Sequence, residues 1–130
     1  LRWAPGRRKD APAAYRRAVE LINEQIVKKQ DDPDLQSRRA LYLIKIGDKE
    51  PALEEANRVA ARPNLTAQMH YRLAVIYELG GERARALASL QQALTAGYAV
   101  KDLASEPELT SMRADARYHR LLDSVGQAKR

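Results

Sequence analysis

The sequence predicts an all-α fold, a solenoid of stacked antiparallel helix pairs, and three observations carry that expectation. The 130 residues are 45% hydrophobic but only 5% aromatic, with no Phe. An interior of Ala and Leu suits closely packed helices better than sheets, which favour β-branched and aromatic residues. Apolar residues also recur three to four apart through most of the chain, the spacing of one helix face. Finally, Gly and Pro punctuate that pattern at regular intervals, and a shift of 34 residues lays Gly47 on Gly81. The same shift aligns Ala18 with Ala52 and Ala86, Ala40 with Ala74, Leu53 with Leu87 and Arg38 with Arg72. A small side chain where two helix faces meet lets their axes approach to ~8–10 Å. The length suits one domain, since single cores run to ~100–200 residues.

Residues 1–12 carry Pro5, Gly6 and Pro12 within a basic run, which disfavours regular helix and points to an arm or linker. From about Ala13 the pattern turns helical, with Ala18, Leu21, Ile22 and Ile26 on one face. Asp32-Pro33 ends that helix and opens the next, Asp32 as cap and Pro33 in the first turn. Leu35, Ala40, Leu43 and Ile44 form its stripe up to the tight turn Gly47-Asp48. A third helix spans about Glu50 to Ala61 and stops before Arg62-Pro63-Asn64, where proline blocks continuation and asparagine suits a turn. Thr66 caps a fourth helix, which carries Met69, Leu73, Ala74, Ile76 and Tyr77 and ends at Gly80-Gly81. A fifth covers Glu82 to Thr95 and ends at Gly97. Beyond Val100, Ser105-Glu106-Pro107-Glu108 has capping-box spacing ahead of a short helix from Pro107 to Met112. After Asp115 a last helix has the stripe Tyr118, Leu121, Leu122 and Val125, with residues 126–130 expected as a frayed tail.

A 34-residue helix–turn–helix unit resembles the tetratricopeptide repeat. Residues 67–100 carry the resemblance best, through Leu73, Ala74, Tyr77, Gly81, Ala86, Leu90 and Ala93; His70 stands where that family usually has tryptophan. Residues 33–66 follow through Ala40, Leu43, Gly47, Ala52, Ala56 and Val59, while 13–32 is similar to the second helix of a preceding unit. Residues 101–125 are similar to the closing segment found after such arrays in many bacterial multidomain regulators, with Ala116 and Tyr118 at its usual proline and phenylalanine. The resemblance implies a right-handed superhelix closed by a capping helix pair that covers the last apolar face. It further implies a non-catalytic protein–protein interaction module, part of a larger regulator such as a Ser/Thr kinase, a cyclase or a transcription factor. A chain opening on Leu1 rather than Met fits that expectation of a piece.

By the same resemblance, the groove that binds a peptide or protein segment is lined by Ser37, Arg38, Leu41 and Lys45 from one helix and Tyr71, Arg72, Val75 and Leu79 from the next. Two guanidinium forks in a row, beside tyrosyl and aliphatic surface, suit an extended acidic partner. The plainer reading is that Arg38 and Arg72 are solvated or pair with Asp34 and Glu78. The family's clamp for chaperone tails needs lysine and asparagine where Ser37 and Leu41 stand, so that activity is not implied.

Net charge is +6, yet residues 1–17 hold six bases (Arg2, Arg7, Arg8, Lys9, Arg16 and Arg17) against Asp10 alone, leaving the rest at +1. The arm therefore raises a second function class, a nucleic-acid-binding accessory domain using Arg2, Arg7, Arg8 and Lys9, or contact with an anionic lipid surface. No recognition helix or stacking platform follows it, and a linker is the simpler reading. The longest uncharged run, Ala86–Val100, falls short of the ~20 residues a membrane helix needs. Catalysis has little to work with: no HExxH, GxSxG, GxxxxGK[ST] or GxGxxG occurs, there is no cysteine, and His70 and His119 are 49 positions apart. No enzyme activity, metal or cofactor is expected. Zero cysteines leave the compartment open between cytoplasm and periplasm.

Overall fold

The computed structural model describes the backbone of residues 5–29 and 31–128 and the side chains of residues 12–29 and 31–125. All regular structure among them is helical: α1 (Pro5–Lys28), α2 (Pro33–Lys45), α3 (Lys49–Ala60), α4 (Ala67–Leu79), α5 (Arg83–Thr95), α6 (Val100–Leu103), a 3₁₀ turn (Pro107–Leu109), α7 (Thr110–Arg113) and α8 (Ala116–Ala128). From Pro33 to Ala67 and from Lys49 to Arg83 the helix starts recur after 34 positions.

Local chemistry sets these bounds. Asp32 accepts hydrogen bonds from the amides of Asp34 and Leu35 at 3.0 and 3.4 Å, and Pro33 occupies the first turn, where its missing N–H costs nothing. Thr66 Oγ1 accepts from Met69 N at 3.1 Å. The two hairpin turns are built alike. Gly47 and Gly81 take φ of +93° and +80°, so that Asp48 N reaches back to Leu43 O and Glu82 N to Tyr77 O, the six-residue closure of a glycine C-cap. The same closure ends α5, from Tyr98 N to Ala93 O.

Each short turn folds the following helix back, so α2 packs on α3 and α4 on α5. Successive hairpins meet through α2 against α4 and α3 against α4, while α1 packs on α2 and α8 on α5. The alanine columns lie at these seams: Ala40, Ala52, Ala56, Ala74, Ala86 and Ala93 are fully buried, although Ala18 in α1 is only half-buried. Around them Leu73, Ile76, Leu90 and Leu94 fill the centre, and Leu103, Leu109 and Met112 plug the end.

Three expectations are corrected. The first helix begins at Pro5 rather than near Ala13, with Pro12 inside it, so most of the expected arm belongs to α1. An interior proline lacks one N–H donor and crowds the carbonyl four residues back, which is why the sequence pattern reads as a break there. The capping box does not form: the 3₁₀ turn begins after Glu106 with no side-chain cap, and Arg113 Nη1 donates to the carbonyls of Leu103 and Glu106 at 2.7 and 2.9 Å. The last helix continues to Ala128, through most of the expected frayed tail.

Candidate functional site

The expected groove maps onto neighbouring faces of α2 and α4, but its residues differ in role. Ser37 is fully buried; its Oγ donates to Asp34 O at 2.8 Å and accepts from Arg72 Nη1 at 2.7 Å. The same Arg72 nitrogen bonds Asp34 Oδ1 at 2.9 Å, leaving the side chain only 12% exposed. Arg38, half in solvent, reaches the other oxygen of Asp34 at 3.0 Å. The two guanidinium groups therefore converge on one carboxylate instead of standing as a row of open forks. Glu78 is not their partner: it holds Arg83 through both oxygens at 2.7 Å, and Arg83 continues to Asp115 at 3.0 Å.

The other half of the face is apolar and aromatic. Val75 and Tyr71 are buried, Leu41 is partly so, and Leu79 is 43% exposed away from them. The Tyr71 ring stacks on Tyr98 with centroids 4.5 Å apart and planes 5° from parallel. Lys45 Nζ lies 3.5 Å from Glu108 and 5.5 Å above the Tyr15 ring. The 3₁₀ turn at Pro107–Leu109 packs on α4. Leu41, Tyr71, Arg72 and Val75, joined by Gln68, Glu106 and Glu108, enclose a depression of about 100 Å³. Burial first, then hydrogen bonding to Glu106, pushes the Tyr71 phenol far above its ordinary pKa. Tyr98 moves up as well, by burial and then by the carboxylates of Glu106 and Asp102. Both hydroxyls stay protonated and can only serve as neutral hydrogen-bonding groups.

Gln68, Tyr98, Glu106 and Glu108 are the residues sequence reasoning missed. The Glu106-Pro107-Glu108 run signals the turn that carries the two carboxylates, and nothing in the spacing signals Gln68 or Tyr98. Of the basic arm, Arg2 lies outside the described residues, as do the side chains of Arg7, Arg8 and Lys9.

A second cavity, about 360 Å³, lies between the α3–α4 turn and α5 and is lined by Arg62, Asn64, His70 and Ser89 among others. Burial lowers the pKa of His70, which keeps the imidazole neutral near pH 7. Arg62 there is tied to Asp31. His119 is exposed on α8, edge-on to Tyr118 at 5.6 Å. Among the described residues no three His, Asp or Glu side chains gather as a metal site requires, and no helix is long and apolar enough to cross a membrane. No protein-family model matches the chain, and neither does any curated protein or solved structure.

Proposed function

We propose that the chain is a tetratricopeptide-like, non-catalytic interaction module that holds an extended segment of another protein against the shared face of α2 and α4. The observation that carries this reading is the side-by-side placement of the first helices of two successive hairpins. α2 packs on α4 as well as on its own partner α3, and both pairs keep the same 34-residue phase. Equal rotation per unit is what winds such pairs into a superhelix with a continuous groove. In that arrangement residues 101–125 cap the stack, in keeping with the full burial of Leu103, Leu109 and Met112. The closing segment's resemblance supports a larger bacterial regulatory protein as the parent. Half-exposed Leu41 beside exposed Gln68 supplies apolar contact and a hydrogen-bonding rim, next to an Arg72 charge already paired with Asp34.

The test is selection of random linear peptides on the immobilised chain, followed by anisotropy titrations. Leu41→Lys, which places a charge in the depression at a site already touching solvent, weakens the selected peptides by about tenfold or more while helicity is kept. Failure to enrich any peptide, or affinities indifferent to Leu41→Lys, overturns the reading.

A further inference from the structure

Apart from the α2–α4 face, we infer that the cavity between the α3–α4 turn and α5 takes a small uncharged molecule, an amide or lactam carried on an apolar ring. The observation behind this is Ser89. It is 8% exposed on α5 and lines the cavity, yet its side chain makes no hydrogen bond among the described residues. A buried helical serine ordinarily turns back on its own backbone, as Ser37 Oγ does on Asp34 O at 2.8 Å. No fully enclosed side-chain nitrogen or oxygen among the described residues lacks a partner, so the Ser89 hydroxyl opens into the cavity. There it can donate one hydrogen bond and accept another.

The His70 imidazole lines the same cavity and, kept neutral near pH 7 by burial, offers one donor and one acceptor. Asn64 at the exposed rim adds an amide of the same dual kind, while Leu65 and fully buried Leu73 supply apolar wall. Charge is balanced here. Arg62, the one charged residue lining the cavity among those described, is held by the carboxylate and the backbone carbonyl of Asp31. The cations nearest along α3 and α5, Arg58 and Arg85, are bound to Glu55 and Asn57. An anion must displace Asp31 from Arg62, and a cation finds no carboxylate in the lining. A neutral plane with a donor beside an acceptor matches Ser89 and His70 without either cost. The volume, about 360 Å³, falls within the ~300–1,000 Å³ usual for small-molecule sites.

The full chain is titrated with benzamide, benzoate and benzylamine, three ligands on one ring that differ in charge, and followed by amide chemical shifts. Benzamide binds with a Kd of about 1 mM, as suits so small a ligand, and moves the amides of Asn64, His70 and Ser89. Benzoate and benzylamine bind about fivefold more weakly or worse. Ser89→Ala, which removes only the hydroxyl, weakens benzamide by about fivefold. Ser124→Ala, the same change on the exposed surface of α8, leaves the affinity unaltered. Absence of benzamide shifts at these residues, a preference for either charged ligand, or an affinity indifferent to Ser89→Ala overturns the inference.

Discussion

Replacing Arg39 by Met isolates a carboxylate at the junction of three helices. Arg39 on α2 grips Glu55 on α3 through two bonds, Nε to Oε1 at 2.5 Å and Nη2 to Oε2 at 2.7 Å, and gives a third to Asn23 on α1 at 2.9 Å. The Glu55 side chain is only 6% exposed, so without Arg39 its charge keeps a single contact, from Arg58 at 3.2 Å. Breaking one partner of a buried pair costs ~3–5 kcal/mol, and the remaining Arg58 places this case at the low end, ~3 kcal/mol. For a domain of this size ~1 kcal/mol moves Tm by roughly 3–5 °C, giving a fall of ~10 °C on thermal melting followed by circular dichroism. The double variant Arg39→Met, Glu55→Met removes the uncompensated charge and returns to within ~1 kcal/mol of wild type. A single variant melting within ~3 °C of wild type, or a double variant less stable than the single, refutes the reasoning.

Three further outcomes are expected. Thr66→Ala loses a formed cap and ~1 kcal/mol in urea denaturation, whereas Ser105→Ala, at a cap that does not form, changes stability by less than ~0.5 kcal/mol. Gly81→Ala meets no atom within 4 Å, so its cost is backbone strain alone, ~1–2 kcal/mol in the same assay. Because the folded His70 pKa lies below 6.5, the unfolded chain takes up a proton first as pH falls. Stability on this account is full above pH 6.5 and declines below it, and His70→Gln flattens that part of the Tm-against-pH curve.

What was legible in the sequence is what local chemistry decides. Asp32-Pro33, Thr66, Gly47 and Gly81 act within five residues of themselves, and the structure uses each as expected. The buried alanines of the seams followed from periodicity. The first turns of α1 were not legible, because Pro5, Gly6 and Pro12 are local break signals and the helix runs through them. Of the site's ion pairs, only Arg38 with Asp34, four residues apart on one helix, was legible. Arg72 finds Asp34 38 positions away and Lys45 finds Glu108 across the whole second hairpin, pairings that no spacing rule encodes. The path of the chain after Tyr98, through α6 and the 3₁₀ turn, decides that Glu106 and Glu108 border the depression.

The most direct test of the binding role is amide chemical-shift mapping of the isotope-labelled chain with a display-selected peptide. Perturbations gathered on Leu41, Gln68, Arg72 and Val75, with the outer residues of α3 and α5 unmoved, are the result predicted here. Perturbations confined to the outer faces of α3 and α5, or to the cavity around His70, contradict the assignment of the α2–α4 face.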